Sequence, residues 1–229
     1  FQGFLFDLDG TLLDTAPDLL AALNHLLRKN YKPELIENDI RGAISDGSNG
    51  LIQLALGIDS SAPEFNSLKL EFLDYYRLNL FQNTRPFPGI QEILIKIEQS
   101  KRPWGIVTSK LSSFTIPLVE HFGWNLRAKC VVCGDTLKQN KPHPAPLLEG
   151  ANYLGLPPNE CLYIGDAITD VQASKAAGMQ VVTAGYGYLP DDKTAKTWDS
   201  NGFIERFSTK VFEKTSLNPN LMKKSRMNG

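Results

Sequence analysis

Apolar residues in this chain follow two different rhythms. Phe4-Leu5-Phe6 is a continuous apolar run that ends in a carboxylate and a glycine, as a buried parallel strand does on entering a functional loop. A helix start follows, with Thr15 ahead of it, Pro17 in the first turn and Asp18 at the capping-box position. Leu19, Leu20, Leu23, Leu26 and Leu27 then recur at helical spacing, and Phe65, Leu68, Phe72, Tyr75 and Tyr76 mark a second, long amphipathic helix. Between them Asp46-Gly47-Ser48-Asn49-Gly50 reads as a loop. No strand signal interrupts the stretch, so residues 15–85 are expected to form an all-helical unit.

At Pro86-Phe87-Pro88-Gly89 the rhythm changes. A helix carrying Ile90, Ile93, Leu94 and Ile97 leads to the apolar run Trp104–Val107, which ends at Thr108-Ser109. A helix near Phe114–Phe122 contains Pro117, and a strand is predicted through Ala128–Gly134. A helix around Pro146–Leu154, the strand Cys161–Ile164, a helix to Ala177-Gly178 and the run Val181-Val182 complete the series. Strands alternating with helices predict right-handed βαβ units, hence an α/β fold with a parallel, Rossmann-like sheet flanked by helices. The first strand joins that sheet, which gives a core of residues 1–14 and 86–216 with the helical unit inserted. Residues 217–229 are polar and basic and read as a tail; no function is attached to Phe1-Gln2-Gly3.

Charge narrows the partners. Of 229 residues, 24 are Lys or Arg and 25 Asp or Glu, a net charge of −1, so nothing favours nucleic acid or an anionic membrane surface. No apolar run is long enough for a membrane span and no basic segment with an apolar stretch opens the chain, so the expected setting is the cytosol, as a monomer or homodimer. Cys130-Val131-Val132-Cys133 spells CxxC, but on a strand those thiols face opposite ways. No second pair completes a metal site, so core cysteines are expected.

Ligands of open parallel sheets bind outside the carboxyl ends of the strands. Standing there are Asp7 and Asp9, Thr108-Ser109, Asp166 with Asp170 four residues on, and Lys141 in the loop after the cysteine strand. Four carboxylates aimed at one crevice repel unless a cation neutralises them, and hard oxygen donors select Mg²⁺. Lys141 adds a positive charge suited to phosphate, and together they suit phosphoryl transfer to an aspartate.

These residues carry a resemblance. Phe6-Asp7-Leu8-Asp9-Gly10-Thr11-Leu12-Leu13-Asp14-Thr15 resembles the first motif of the haloacid dehalogenase (HAD) superfamily of phosphohydrolases. Thr108 matches its second motif, Lys141-Pro142 its third and Gly165-Asp166-Ala167-Ile168-Thr169-Asp170 its fourth, in order across Phe4 to about Leu189. The resemblance implies that Asp7 is the nucleophile and Asp9 the general acid and base. It implies Mg²⁺ on Asp7, the Asp9 carbonyl and Asp166, with Asp170 in support. Thr108 and the Ser109 backbone would bind phosphate oxygens, Lys141 would offset charge, and the insert would be the family's helical cap. Ala167 departs from relatives that carry a polar residue there, without removing a ligand. Thr15–Leu19, Thr108-Ser109-Lys110, Lys141–Pro144 and Ala176–Met179 are similar to the phosphoglycolate phosphatase branch. Ile40–Gly47, Trp104–Thr108 and Tyr186–Pro190 are similar to N-acetylmuramic acid 6-phosphate phosphatases. The implied substrate is a small phosphate monoester.

In the cap, Arg41, Ser45 and Asp46 are candidates to touch substrate, against the plainer reading of a helix end with a solvated arginine. His25 reads as packing or solvated, His121 as a charge at a helix end, and His143 as a possible neighbour of the Lys141 site. A phosphomutase would use the same aspartyl phosphate and stays open. A receiver-type signalling module is disfavoured by the insert and by Asp9. A dehalogenase would need neither Asp9 nor Asp166, and no GxGxxG follows the first strand to bind a dinucleotide.

Overall fold

A computed structural model describes residues 1–190 and 192–206, the side chains of residues 192 and 193 excepted; the predicted polar tail lies outside the described residues. Its centre is β1 (Gly3–Phe6), whose four residues are all buried because helices cover both faces of the sheet. β1 lies between β4 (Trp104–Val107) and β6 (Cys161–Gly165), parallel to both. Beyond β4 lies β5 (Val131–Val132), and beyond β6 lie β7 (Gln180–Ala184) and β8 (Gly202–Ile204), giving the all-parallel order β5-β4-β1-β6-β7-β8. The chain builds outward from β1 in both directions, so its carboxyl end is the switch point at which such sheets bind ligands.

The insert contains α1 (Ala16–Lys29), α2 (Glu37–Ile40), a 3-10 turn at Arg41–Asp46, α3 (Gly47–Leu56) and α4 (Phe65–Leu78), with no strand among them. Leu23, Leu26 and Leu27 of α1 and Phe65, Phe72 and Tyr76 of α4 are buried in one apolar cluster that continues into the core through Leu12, Leu13 and Phe87. Both connections to the core run side by side as a short antiparallel ribbon, β2 (Leu13–Asp14) on β3 (Arg85–Pro86). Core helices α5 (Ile90–Gln99), α6 (Ser112–His121), α7 (Ala145–Leu154), α8 (Ile168–Ala176) and α9 (Asp192–Thr197) alternate with the strands. Among the described residues no helix is long and apolar enough to cross a membrane.

Three local expectations are corrected. Asp18 does not close a capping box on Thr15. Its carboxylate is buried and accepts the Asn83 and Thr84 amides, both at 2.9 Å, and the Thr84 hydroxyl at 2.7 Å, tying α1 to the segment before β3. The stretch 46–50 is not a loop: from Gly47 it is the first turn of α3, whose Leu51, Ile52 and Leu56 are buried. The strand expected over Ala128–Gly134 shrinks to Val131–Val132, at the sheet edge.

Cys130, Cys133 and Cys161 are free and buried, and burial pushes the Cys130 and Cys161 thiols up to about 12 and about 11. His25 stacks on Tyr75 and His121 on Phe81, while His143 Nδ1 accepts the Ala145 amide at the start of α7.

Candidate active site

The residue after each central strand stands at the sheet's carboxyl end because the ladder runs on into it. The Asp7 amide bonds Ile164 O at 2.9 Å and the Thr108 amide bonds Val132 O at 2.9 Å. Asp7 follows β1, Thr108 follows β4 and Asp166 follows β6, so three segments far apart in sequence meet across two strand spacings.

Asp7, Asp166 and Asp170 are all buried, and each offers a carboxylate oxygen within 4.8 Å of the others. Burial and the neighbouring Asp170 and Asp9 push Asp7 up to about 7, against the opposing pull of Lys141 and the Leu8 amide. Burial first, then Asp7 and Asp170, hold Asp166 well above the usual carboxylate range. Two glycines make the packing possible. A Cβ on Gly10, whose φ is +74°, would lie 1.9 Å from Asp166 Oδ2, and one on Gly165 would lie 2.3 Å from Asp170 Oδ2.

Each acid is held by specific donors. Asp166 accepts the Tyr188 amide at 2.7 Å and the Thr11 hydroxyl at 3.1 Å. Asp170 accepts the Ala167 amide at 3.0 Å on one oxygen and Lys141 Nζ at 2.7 Å on the other. Lys141, its side chain 2% exposed, also lies 3.1 Å from Asp7 Oδ1 and donates to the Tyr163 hydroxyl at 3.0 Å. The Leu8 amide donates to the same Asp7 oxygen at 2.8 Å, which leaves Asp7 Oδ2 without a protein partner among the described residues. A buried, all-oxygen trio whose charge is only partly offset by one ammonium fits a hard divalent cation.

Asp9 does not join the trio through its carboxylate. Oδ1 accepts the Thr15 hydroxyl at 2.6 Å, and Lys110 Nζ reaches Oδ1 and Oδ2 at 3.1 and 3.3 Å. The same ammonium donates to the Tyr76 hydroxyl of α4 at 3.0 Å. Burial works against the Lys110 charge, but Asp9 and Tyr76 outweigh it and the pKa lies above the ordinary lysine value. Tyr188, another residue outside the predicted set, fixes the ribbon: its hydroxyl accepts the Thr15 and Ala16 amides at 2.6 and 2.8 Å and donates to Asp14 at 2.8 Å. Lys110 and Tyr188 lie inside the segments that carry the family resemblance, and that was the one signal available for them.

A cavity of about 500 Å³ joins these groups to the insert. Asp7, Asp9, Thr108, Ser109 and Lys141 line its core side, and Ser45, Asp46, Phe72 and Tyr76 are on the insert side. Arg41 is absent from that lining: its guanidinium is engaged with Glu37, lies 3.7 Å from Asp14 and sits 4.9 Å over the Tyr188 ring. It is half-buried and, in this arrangement, not part of the cavity wall.

Comparison with known proteins agrees with this geometry. The family model for haloacid dehalogenase-like hydrolases matches residues 4–184. The chain is 34% identical over 204 residues to N-acetylmuramic acid 6-phosphate phosphatase of Pseudomonas aeruginosa, covering 89% of this chain and 90% of that one. It is 38% identical over 205 residues to phosphoglycolate phosphatase of Xylella fastidiosa, covering 88% of each. A crystal structure of a predicted phosphoglycolate phosphatase from Haemophilus somnus superposes with a TM-score of 0.82 at 28% identity, over 94% of this chain and 98% of that one. With the four motifs in place on a parallel six-stranded sheet and phosphatases as its relatives, the chain belongs to the haloacid dehalogenase-like hydrolase family.

Proposed function

We propose that the protein is a Mg²⁺-dependent phosphomonoesterase that works through an aspartyl phosphate on Asp7. The observation that carries this reading is the unpartnered Asp7 Oδ2 in a cavity that also holds Asp9, beside a buried acidic trio and Lys141. Asp7, Asp166 and Asp170, with the Asp9 carbonyl, would hold the cation, which when bound shields the phosphate's charge and the attacking carboxylate from each other. Asp7 attacks phosphorus in line, and the bond to the leaving oxygen breaks as Asp9 delivers a proton to it. Asp9 then takes a proton from water, which attacks the phosphorus, releases inorganic phosphate and restores Asp7. Thr108 and Ser109 orient the phosphate oxygens, and Lys141 stabilises charge on Asp7 and the phosphate.

In this reading residues 1–14 and 86–216 are the catalytic core and residues 15–85 a cap that turns on the β2–β3 ribbon. The cavity size, with Ser45, Asp46, Phe72 and Tyr76 on its cap wall, suits a sugar phosphate better than a two-carbon acid, since pockets of roughly 300–1,000 Å³ enclose ligands well above that size. N-acetylmuramic acid 6-phosphate, the substrate named for one relative, is therefore favoured over 2-phosphoglycolate, named for another. Assayed with Mg²⁺, both substrates and p-nitrophenyl phosphate should be hydrolysed, with kcat/KM highest for the sugar phosphate and activity lost in excess chelator. Full activity in chelator, or no hydrolysis of any monoester, would overturn the reading.

A further inference from the structure

Lys110 carries a positive charge in the cavity wall that the mechanism above does not use. We propose that Lys110 is a positioning residue that aims the Asp9 carboxyl at the leaving group, and that Tyr76 of the insert holds Lys110 to this task. Nζ has three protons and three acceptors: Asp9 Oδ1 at 3.1 Å, Asp9 Oδ2 at 3.3 Å and the Tyr76 hydroxyl at 3.0 Å. The ammonium is thus spoken for by protein atoms, unlike that of a phosphate ligand, and it acts on the reaction through Asp9. Its side chain is only 9% exposed, so the pair with Asp9 is held more firmly than a surface ion pair, which is worth little.

The three partners come from different parts of the fold. Asp9 follows β1, Lys110 follows β4, and Tyr76 lies in the last turn of α4, buried between Phe72 and Phe114. The Thr15 hydroxyl, 2.6 Å from Asp9 Oδ1, adds a fourth tether from the start of α1. With the insert seated, the Tyr76 hydroxyl and ring cover the ammonium, 4.7 Å from the ring centre, and limit its directions. Lifting the insert removes that cover, admits water and frees the Lys110–Asp9 pair to reorient. Asp9 is therefore fully aligned when the cavity is closed, which links closure over a substrate to proton delivery.

The inference rests on Asp9 as the acid for the leaving group, and leaving-group dependence separates the two claims. In the first half-reaction the proton on Asp9 passes to the departing oxygen, a transfer that an alkoxide needs and p-nitrophenolate does not. kcat/KM, which reports steps up to formation of the aspartyl phosphate, is measured with Mg²⁺ for p-nitrophenyl phosphate, phenyl phosphate and an alkyl phosphate. The proteins compared are the full chain and its Asp9→Asn, Lys110→Met and Tyr76→Phe variants. Lys110→Met is expected to lose roughly 30–100-fold on the alkyl phosphate and less than about threefold on p-nitrophenyl phosphate. Tyr76→Phe should show the same slope at roughly three- to tenfold, because only the hydroxyl is lost. A merely structural role would lower all three substrates alike. If Asp9→Asn shows the steep dependence while Lys110→Met and Tyr76→Phe lose activity equally on every substrate, or not at all, the positioning role is overturned and Asp9 stands. If Asp9→Asn itself shows no such dependence, the assignment of Asp9 fails and this inference with it. Should Lys110→Met not fold, Tyr76→Phe decides: unchanged kcat/KM on the alkyl phosphate overturns the proposal.

Discussion

Asp7→Asn should reduce turnover by about 10⁴-fold or more while leaving the fold intact, because an amide oxygen is a poor nucleophile and a poor partner for a cation. The expected loss is large because no other carboxylate can take its place. Asp166 is tied up by two donors and Asp170 by three, whereas Asp7 Oδ2 has no protein partner among the described residues. The variant should also be the more stable protein once metal is stripped away. In the fold the Asp7 carboxyl is pushed up to about 7 from 3.8, so its proton is held more tightly in the native than in the unfolded chain. Stability from a group shifted upward is complete below its unfolded pKa and is lost as pH rises through its folded one. Metal-free wild-type protein should therefore weaken from about pH 4 to just above pH 7, and Asp7→Asn should weaken less through that window, keeping only the loss that the buried Asp166 contributes. Thermal melts in chelator at several pH values would check this. A stability gap that shrinks with rising pH would mean that Asp7 sits in a site that favours its charge.

The second large effect is expected at Lys141. Lys141→Met keeps much of the side-chain volume and removes the ammonium that touches Asp7, Asp170 and Tyr163. Loss of one preorganised charge at a phosphoryl-transfer site suggests about 10²–10³ in kcat. Breaking a buried ion pair costs about 3–5 kcal/mol of stability, because the carboxylates stay behind uncompensated. Added Mg²⁺ should recover much of the stability and little of the rate, since a cation can neutralise the trio but cannot stand where Nζ stood. A kcat within about threefold of wild type would leave Lys141 a structural role alone. Lys141→Arg should not rescue, because a planar fork does not fit the four acceptors, the Val107 carbonyl among them, gathered around a point charge.

The sequence made some of this architecture legible for a physical reason. Strands buried on both faces, such as Phe4–Phe6, Trp104–Val107 and Cys161–Ile164, must be apolar throughout, so they stand out, and the first polar side chain after each one (Asp7, Thr108 and Asp166) marks the site. The β2–β3 ribbon and β8 were illegible because two or three residues carry no period; pairing with a partner distant in sequence makes them strands. Gly47-Ser48-Asn49-Gly50 has loop composition, yet it starts a helix because the apolar residues after it need one face buried. Asp18 sits where a capping residue would, but the donors of Asn83 and Thr84 claim it from 65 and 66 residues away. Lys110 was hidden in a similar way. Nothing beside it in the chain shows that its ammonium turns to an aspartate 101 residues earlier and a tyrosine from the insert.

The central claim is that Asp7 itself carries the phosphoryl group, and chemical trapping tests it most directly. Wild-type enzyme turning over saturating p-nitrophenyl phosphate with Mg²⁺ is quenched into borohydride, which reduces an acyl phosphate to an alcohol and leaves a free carboxylate untouched. Peptide mass spectrometry should then find homoserine at position 7, only when substrate was present and never in Asp7→Asn. An unmodified Asp7 peptide from enzyme that was turning over at the moment of quenching, or reduction at a different carboxylate, would contradict the account.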